Sequence, residues 1–145
     1  MKILVVHGPN LNLLGKREPE LYGTRSLEEL NQLIAAHAKE RGVTVTTFQS
    51  NHEGAIIDHI QLAGAEGYDA IVVNPGAYTH TSMAIHDAIR AAPLPVVEVH
   101  ISNIHARGGL RSRSLTARAC AGIVSGFGFN SYLLGIDAAI SVLKS

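Results

Sequence analysis

Tryptophan is absent, cysteine occurs once, and charged residues fill only 17% of the 145 positions. Each scarcity removes a class of protein. With Cys120 alone the chain forms no internal disulfide, and a cysteine-based metal site has no second thiolate. Cys120 lies in the apolar run ARACAGIVSGFG and reads as a buried structural thiol. Lys plus Arg and Asp plus Glu both number 12, so the formal charge is zero and no global field favours nucleic acid or a membrane surface. No apolar run reaches the roughly 18 residues of a transmembrane span. MKILVV begins directly as a strand, without the apolar region and small-residue cleavage site of a secretory leader. A cytoplasmic protein is expected. At 46% hydrophobic content, 145 residues suffice for a single domain with a real core. Low charge beside that content also points to surface buried between subunits.

Catalytic signatures are missing too. There is no GxGxxG, and the loop after the first strand lacks the Ser, Thr and Gly of a flavin-phosphate loop, which argues against nucleotide binding. There is no GxSxG, which argues against a hydrolase elbow. Eight histidines include no HExxH and no comparable ligand pair on one helix face, so the pattern disfavours zinc. Lys2, Lys16, Lys39 and Lys144 all lie away from the carboxyl ends of core strands, where a Schiff-base lysine belongs.

What is present is a set of apolar strands that end in polar clusters: LVVHGPNLN, IVVNPGAYTHTS and VVEVHISNIHARGGLRSR. Apolar patterning predicts strands over 2–7, 43–49, 69–74, 95–100 and 119–126. Helices are predicted over 27–41, 53–66, 83–91 and 129–143. Ser26 with Glu29 forms a capping box, Gly42 and Gly67 are stops, and Ser82 is a cap. Residues 101–114 read as irregular. Strands alternating with helices predict an α/β fold, a three-layer sandwich around a five-stranded parallel sheet in the flavodoxin-like order 2-1-3-4-5, in one domain over 1–145. In that order the carboxyl ends of strands one and three form a crevice, with strand four alongside. The three polar clusters therefore meet.

Each cluster has a plain reading beside its functional one. The long stretch Leu13–Arg25, carrying Arg17, Glu18, Tyr22 and Arg25, is either a solvated loop or a lid. In NPGAYTHTS, Thr79, Thr81 and Ser82 either cap a helix or offer hydroxyls and amides to an anion, with His80 beside them for a substrate hydroxyl. His100 is either a satisfied core residue or a working acid, since an unpaired imidazole at the end of a buried strand would be costly. Ser102, Asn103 and nearby backbone N–H groups suit a carboxylate. Arg107, Arg111 and Arg113 add positive charge or merely solvate the surface.

The succession GPNLNLLG with KREPELYG, QSNHEG, NPGAYTHTS and EVHISNIHAR, in this order and at these spacings, resembles the type II 3-dehydroquinate dehydratases over nearly the whole chain. The resemblance implies a flavodoxin-like fold, a dodecamer built as four trimers, and no metal or organic cofactor. It implies loss of water from 3-dehydroquinate to give 3-dehydroshikimate, in the shikimate pathway or in quinate breakdown. By motif, Tyr22 resembles the general base, Arg17 its activator and His100 the general acid. Asn10 would hold the enolate and its water. Asn74 and His80 would bind ring hydroxyls, and the amides of Ile101 and Ser102, with Asn74, the carboxylate region. Arg111 matches a substrate-binding arginine, and Asp87 a residue that reaches a neighbouring subunit's site. A non-catalytic paralogue that binds a shikimate-like acid is the alternative.

One stretch departs from the family pattern. After HAR the family has an acidic residue, then an aromatic before the next arginine, then a His-rich segment ending in Ser-Tyr. Here the chain reads Gly108-Gly109-Leu110-Arg111-Ser112-Arg113-Ser114-Leu115. Two glycines are expected to loosen this segment and weaken substrate binding or a trimer contact.

Overall fold

The computed structural model describes every residue except Arg17, and every side chain except those of Arg17, Leu21 and Tyr22. Runs rich in β-branched residues form the sheet: β1 (Lys2–His7), β2 (Thr44–Gln49), β3 (Ala70–Asn74), β4 (Val96–His100) and β5 (Gly122–Ser125). All neighbours pair in parallel, in the order β2-β1-β3-β4-β5. β3 and β4 are buried at every position, whereas no residue of edge strand β2 is fully buried. The helices are α1 (Pro19–Tyr22), α2 (Leu27–Arg41), α3 (Glu53–Leu62), α4 (Met83–Ala91) and α5 (Asn130–Lys144).

Side chains alternate across the sheet with period two, so each central strand feeds two cores. Ile3, Val5, Val72, Val97 and Val99 pack with Leu30 and Ile34 of α2 and with Tyr132, Ile136 and Ala139 of α5. Leu4, Val6, Ile71, Val73 and Val96 pack with Ile56 and Ile60 of α3 and with Ile85, Ala88 and Ile89 of α4. Helices on both faces of a parallel sheet give the expected three layers. Each fully buried aliphatic side chain contributes about 1.5–3 kcal/mol.

Most helix ends obey the local signals. The Ser26 hydroxyl accepts from the Glu29 N–H at 3.1 Å, and Gly42 closes α2 at φ 69°. The Glu29 carboxylate does not complete a reciprocal box; it pairs with Arg25 at 3.4 Å. α3 is regular to Leu62 rather than to 66. Beyond it, Gly67 N–H bonds the Gly64 carbonyl and Tyr68 N–H the Ala63 carbonyl, with Gly67 at φ 87°. That pair of bonds is a helix-closing turn, so the stop at Gly67 stands although the regular helix ends sooner. Cys120 is half-buried rather than buried, packs against the α3–α4 core, and donates to the Thr116 carbonyl at 3.4 Å. Burial pushes its thiol pKa far up, which keeps it protonated. No helix among the described residues is long and apolar enough to cross a membrane.

Candidate active site

β1 and β3 end side by side, and glycine lets them do so. The Gly8 N–H bonds the Asn74 carbonyl at 2.7 Å, and a Cβ on Gly8 would stand 2.6 Å from Pro75 backbone atoms. Only a residue without a side chain fits there. Asn10 follows in the left-handed region, at φ 67°. Its N–H is held by Asn51 Oδ1 at 3.0 Å, while Gln49 Nε2 donates to Gly8 O and to Asn51 Oδ1, both at 3.1 Å. The Tyr78 hydroxyl secures Asn51 from the other side, donating to its carbonyl at 3.1 Å. QSN at the end of β2 thus braces the loop that carries Asn10.

The stretch after Asn10 is a loop whose two ends touch. Gly15 is at φ 87°, and a Cβ there would lie 2.8 Å from the Thr24 carbonyl oxygen. Between those ends Pro19–Tyr22 forms the single turn α1. Arg17 and the Tyr22 side chain, which by resemblance are the activator and the base, lie outside the described residues.

At the end of β4, His100 is 5% exposed and is satisfied by a neighbour two residues back, on the same face of the strand. Glu98 Oε2 takes its Nε2–H at 2.7 Å. The same oxygen accepts from Thr79 at 2.9 Å and Ser114 at 2.7 Å, and the other oxygen accepts from Thr116. Burial alone would raise the Glu98 pKa, but the His100 bond and charge and the hydroxyls outweigh it, and the carboxyl is held below its usual range. Glu98 is therefore a fixed anion that orients the ring. Its partners also settle the use of Thr79, which faces Glu98 rather than an anion site. Ser82 likewise caps α4 by accepting from the Ile85 N–H at 2.9 Å and donates to Glu53 at 2.6 Å.

Between the strand ends lies a cleft of about 130 Å³. Asn10, Asn74, His80, His100, Ile101, Ser102 and Arg111 all line it, together with Arg107 and the apolar Leu11, Leu13 and Leu14. His80 donates from Nδ1 to the Arg113 carbonyl at 2.6 Å, which turns its Nε2 into the free acceptor when the ring is neutral. Burial first, then the nearby cationic side chains, favours that neutral ring against the pull of the carbonyl. Asp87 is not brought into this cleft. It is exposed on α4 and accepts from His86 Nδ1 at 2.8 Å. Asn103 does not line the cleft either; its side chain caps the next turn by accepting from the His105 N–H at 3.1 Å.

The sequence reading missed Glu98, Gln49 and Asn51. Glu98 had a signal: one carboxylate inside an apolar strand, two positions before the histidine. For Gln49 and Asn51 the QSNHEG motif and the place of strand two beside strand one were legible, but the side-chain bonds to the Gly8 carbonyl and the Asn10 N–H were not. Among the described residues no group of three or more His, Cys, Asp or Glu side chains is placed to hold a metal ion.

A family model for dehydroquinase class II matches residues 1–140. A 3-dehydroquinate dehydratase of Caldicellulosiruptor bescii is 55% identical over 98% of this chain and 98% of its own. Its counterpart in Thermus thermophilus is 58% identical over 92% of this chain and 90% of its own. The crystal structure of the type II dehydroquinase from Butyrivibrio crossotus superposes with a TM-score of 0.94 at 48% identity, over 97% of both chains. Fold, motifs and near full-length identity agree, and the chain belongs to the dehydroquinase class II family.

Proposed function

We propose that the protein is a 3-dehydroquinate dehydratase of the shikimate pathway. In this reading it removes water through an enolate, with Tyr22 as base and His100 as acid, in a dodecamer of four trimers. The observation that carries this reading is His100, backed at 2.7 Å by the buried Glu98 and set in the wall of a cleft rich in amides and arginines. Full-length likeness to proteins named for that activity adds to it.

The chemistry asks for these groups. The proton to be taken lies alpha to a ketone, and the leaving group is a beta hydroxyl. Hydroxide leaves poorly, so an acid must protonate it. With Nε2 bound to Glu98, the ring offers its proton to the cleft through Nδ1, and Glu98 compensates the charge. An ordinary tyrosine ionises near pH 10, so a tyrosine base at neutral pH requires about 4 kcal/mol of preference for phenolate. An arginine at contact in a water-poor site can supply much of that, the role proposed for Arg17. Both belong to the loop pinned at Gly15 and Thr24, so the base forms as the loop shuts. Asn10 would hold the enolate and its water as a preorganised donor. His80 Nε2 and Asn74 would take ring hydroxyls. The amides of Ile101 and Ser102, with Asn74, would take the carboxylate region, and Arg111 would be a further substrate-binding residue. Asp87, outside this cleft, is assigned to a neighbouring subunit's site.

The test is the absorbance of the conjugated enone when purified protein meets 3-dehydroquinate, with and without EDTA. Rapid, chelator-insensitive product formation is expected. Tyr22→Phe should lose on the order of 10²–10⁴-fold in kcat while keeping its circular dichroism spectrum. Near-normal turnover in that variant overturns the base assignment. Binding of 3-dehydroquinate by the wild type without turnover favours the non-catalytic paralogue.

A further inference from the structure

Three polar side chains are sealed in the apolar layer between the sheet and α2 and α5. His7 and Tyr132 are 0% exposed and Asn74 is 3% exposed. His7 and Asn74 are register partners at the ends of β1 and β3, so both project toward α5, where Tyr132 stands between them. Nδ1 of His7 is 3.0 Å from the Tyr132 hydroxyl, which is 2.9 Å from Asn74 Nδ2. On the far side, His7 Nε2 is 2.8 Å from Asn31 Oδ1 of α2.

The direction of every bond follows from one backbone amide. The Gly76 N–H can only donate, and it lies 3.0 Å from Asn74 Oδ1. That makes Asn74 Nδ2 the atom facing Tyr132, so the phenol oxygen accepts there. Its single proton must then go to His7 Nδ1. A neutral imidazole with an accepting Nδ1 carries its proton on Nε2, and this meets the Asn31 oxygen. No group in the chain is frustrated, and none can reverse without breaking a buried bond. Burial supports the same state, lowering the His7 pKa to about 4 against the pull of the Asn31 bond. Apolar residues of similar volume would fill this layer without the cost of desolvating three polar groups. What the polar chain adds is a fixed orientation for the one member that lines the cleft.

We propose that His7 and Tyr132 are positioning residues: their one-way hydrogen-bond chain locks the Asn74 amide so that one N–H is held by Tyr132 and the other is offered to substrate. The inference rests on the proposed dehydratase reading for its kinetic consequence, though not for the amide's orientation. Without the Tyr132 hydroxyl the amide is held only at Oδ1, by the Gly76 N–H, so it can swing about its Cβ–Cγ bond and its second N–H leaves the substrate oxygen.

Tyr132→Phe removes one oxygen and keeps the ring. Its kcat/KM for 3-dehydroquinate should fall about tenfold, mainly through KM, with circular dichroism unchanged. His7→Leu should show the same split. His7→Asn, whose amide oxygen can take the place of Nδ1, should recover most of that loss. A structural role alone would lower the thermal midpoint in all three variants and leave KM untouched, and that pattern overturns the inference. Crystal structures of wild type and Tyr132→Phe give the second readout: the Asn74 amide should lose its single pose. An unmoved amide overturns the inference whatever the activity. A moved amide beside a wild type that does not turn over 3-dehydroquinate upholds the positioning and removes the dehydratase reading instead.

Discussion

At the scale of single residues, burial sets protonation, and His7 shows the consequence. Its folded pKa of about 4 lies below the ordinary 6.5. Above pH 6.5 the ring is neutral in both folded and unfolded chains and has no effect on stability. As pH falls from 6.5 toward 4, the unfolded chain takes up the proton and the folded one does not, so stability drops. At pH 4.5 the loss from this residue is about 2 kcal/mol relative to pH 7. Urea unfolding at both pH values, at fixed protein concentration, should show a fall smaller by about that amount in His7→Asn. Equal falls in wild type and variant would remove the claim. His7 also marks where sequence reading stops. Strand-end logic brought Asn10, Asn74, His80, His100 and Arg111 to one cleft, because topology alone converges them. The crevice it placed at the end of β1 begins with His7, whereas that ring is buried between Tyr132 and Asn31 and does not line the cleft. Glu98 was legible from its spacing to His100, yet its three hydroxyl partners, Thr79, Ser114 and Thr116, come from other segments that no local pattern ties to β4.

At the scale of elements, boundaries set by caps and glycines were legible, as in α2 over Leu27–Arg41. Segments shaped by distant side chains were not. The stretch 101–114, read as irregular, contains short helical turns at Ile104–Ala106 and Gly109–Ser112, and a third at Thr116–Ala119 delays β5, predicted from 119, to Gly122. The order of the stretch comes from one bond within it, His105 Nδ1 to the Ser112 carbonyl at 3.0 Å, and from two to the segment after β3: His80 donates to the Arg113 carbonyl at 2.6 Å and the Leu115 N–H to the Thr79 carbonyl at 2.7 Å. The two glycines that were expected to loosen it thus sit in a segment tied at several points. What remains open is the top of the turn, where Leu110 is 66% exposed. Gly108 has φ −85° and nothing within 4 Å of a Cβ, so a side chain fits without strain. The double substitution Gly108→Glu with Leu110→Phe restores the family pattern. It should lower KM by up to about fivefold, the worth of an exposed ion pair of up to ~1 kcal/mol, or tighten the assembly. Unchanged KM together with unchanged assembly would count against any role for this departure.

At the scale of the whole molecule, the sheet order was legible because five strands alternating with helices allow few parallel topologies, and the meeting of the polar strand ends follows from that order. Assembly is a different matter, since composition hints at buried surface without saying where. The structure locates apolar surface that the charges do not cover: Phe127 is 62% exposed, Leu110 66% and Met83 54%. Phe127 lies two residues beyond β5, an edge strand whose Gly122 and Ile123 are also exposed. An open edge with apolar side chains invites pairing unless another chain covers it. The proposed dodecamer would cover it and would bring a neighbour's Asp87, absent from this cleft, toward a site. Twelve copies of the 15.4 kDa chain give about 185 kDa, which light scattering behind size exclusion resolves from a trimer of about 46 kDa and from a monomer. The wild type is expected at the largest of these, and Phe127→Lys at a smaller one. A wild-type monomer with full dehydratase activity would show that one chain completes its own site, and the role proposed for Asp87 would fall with the assembly.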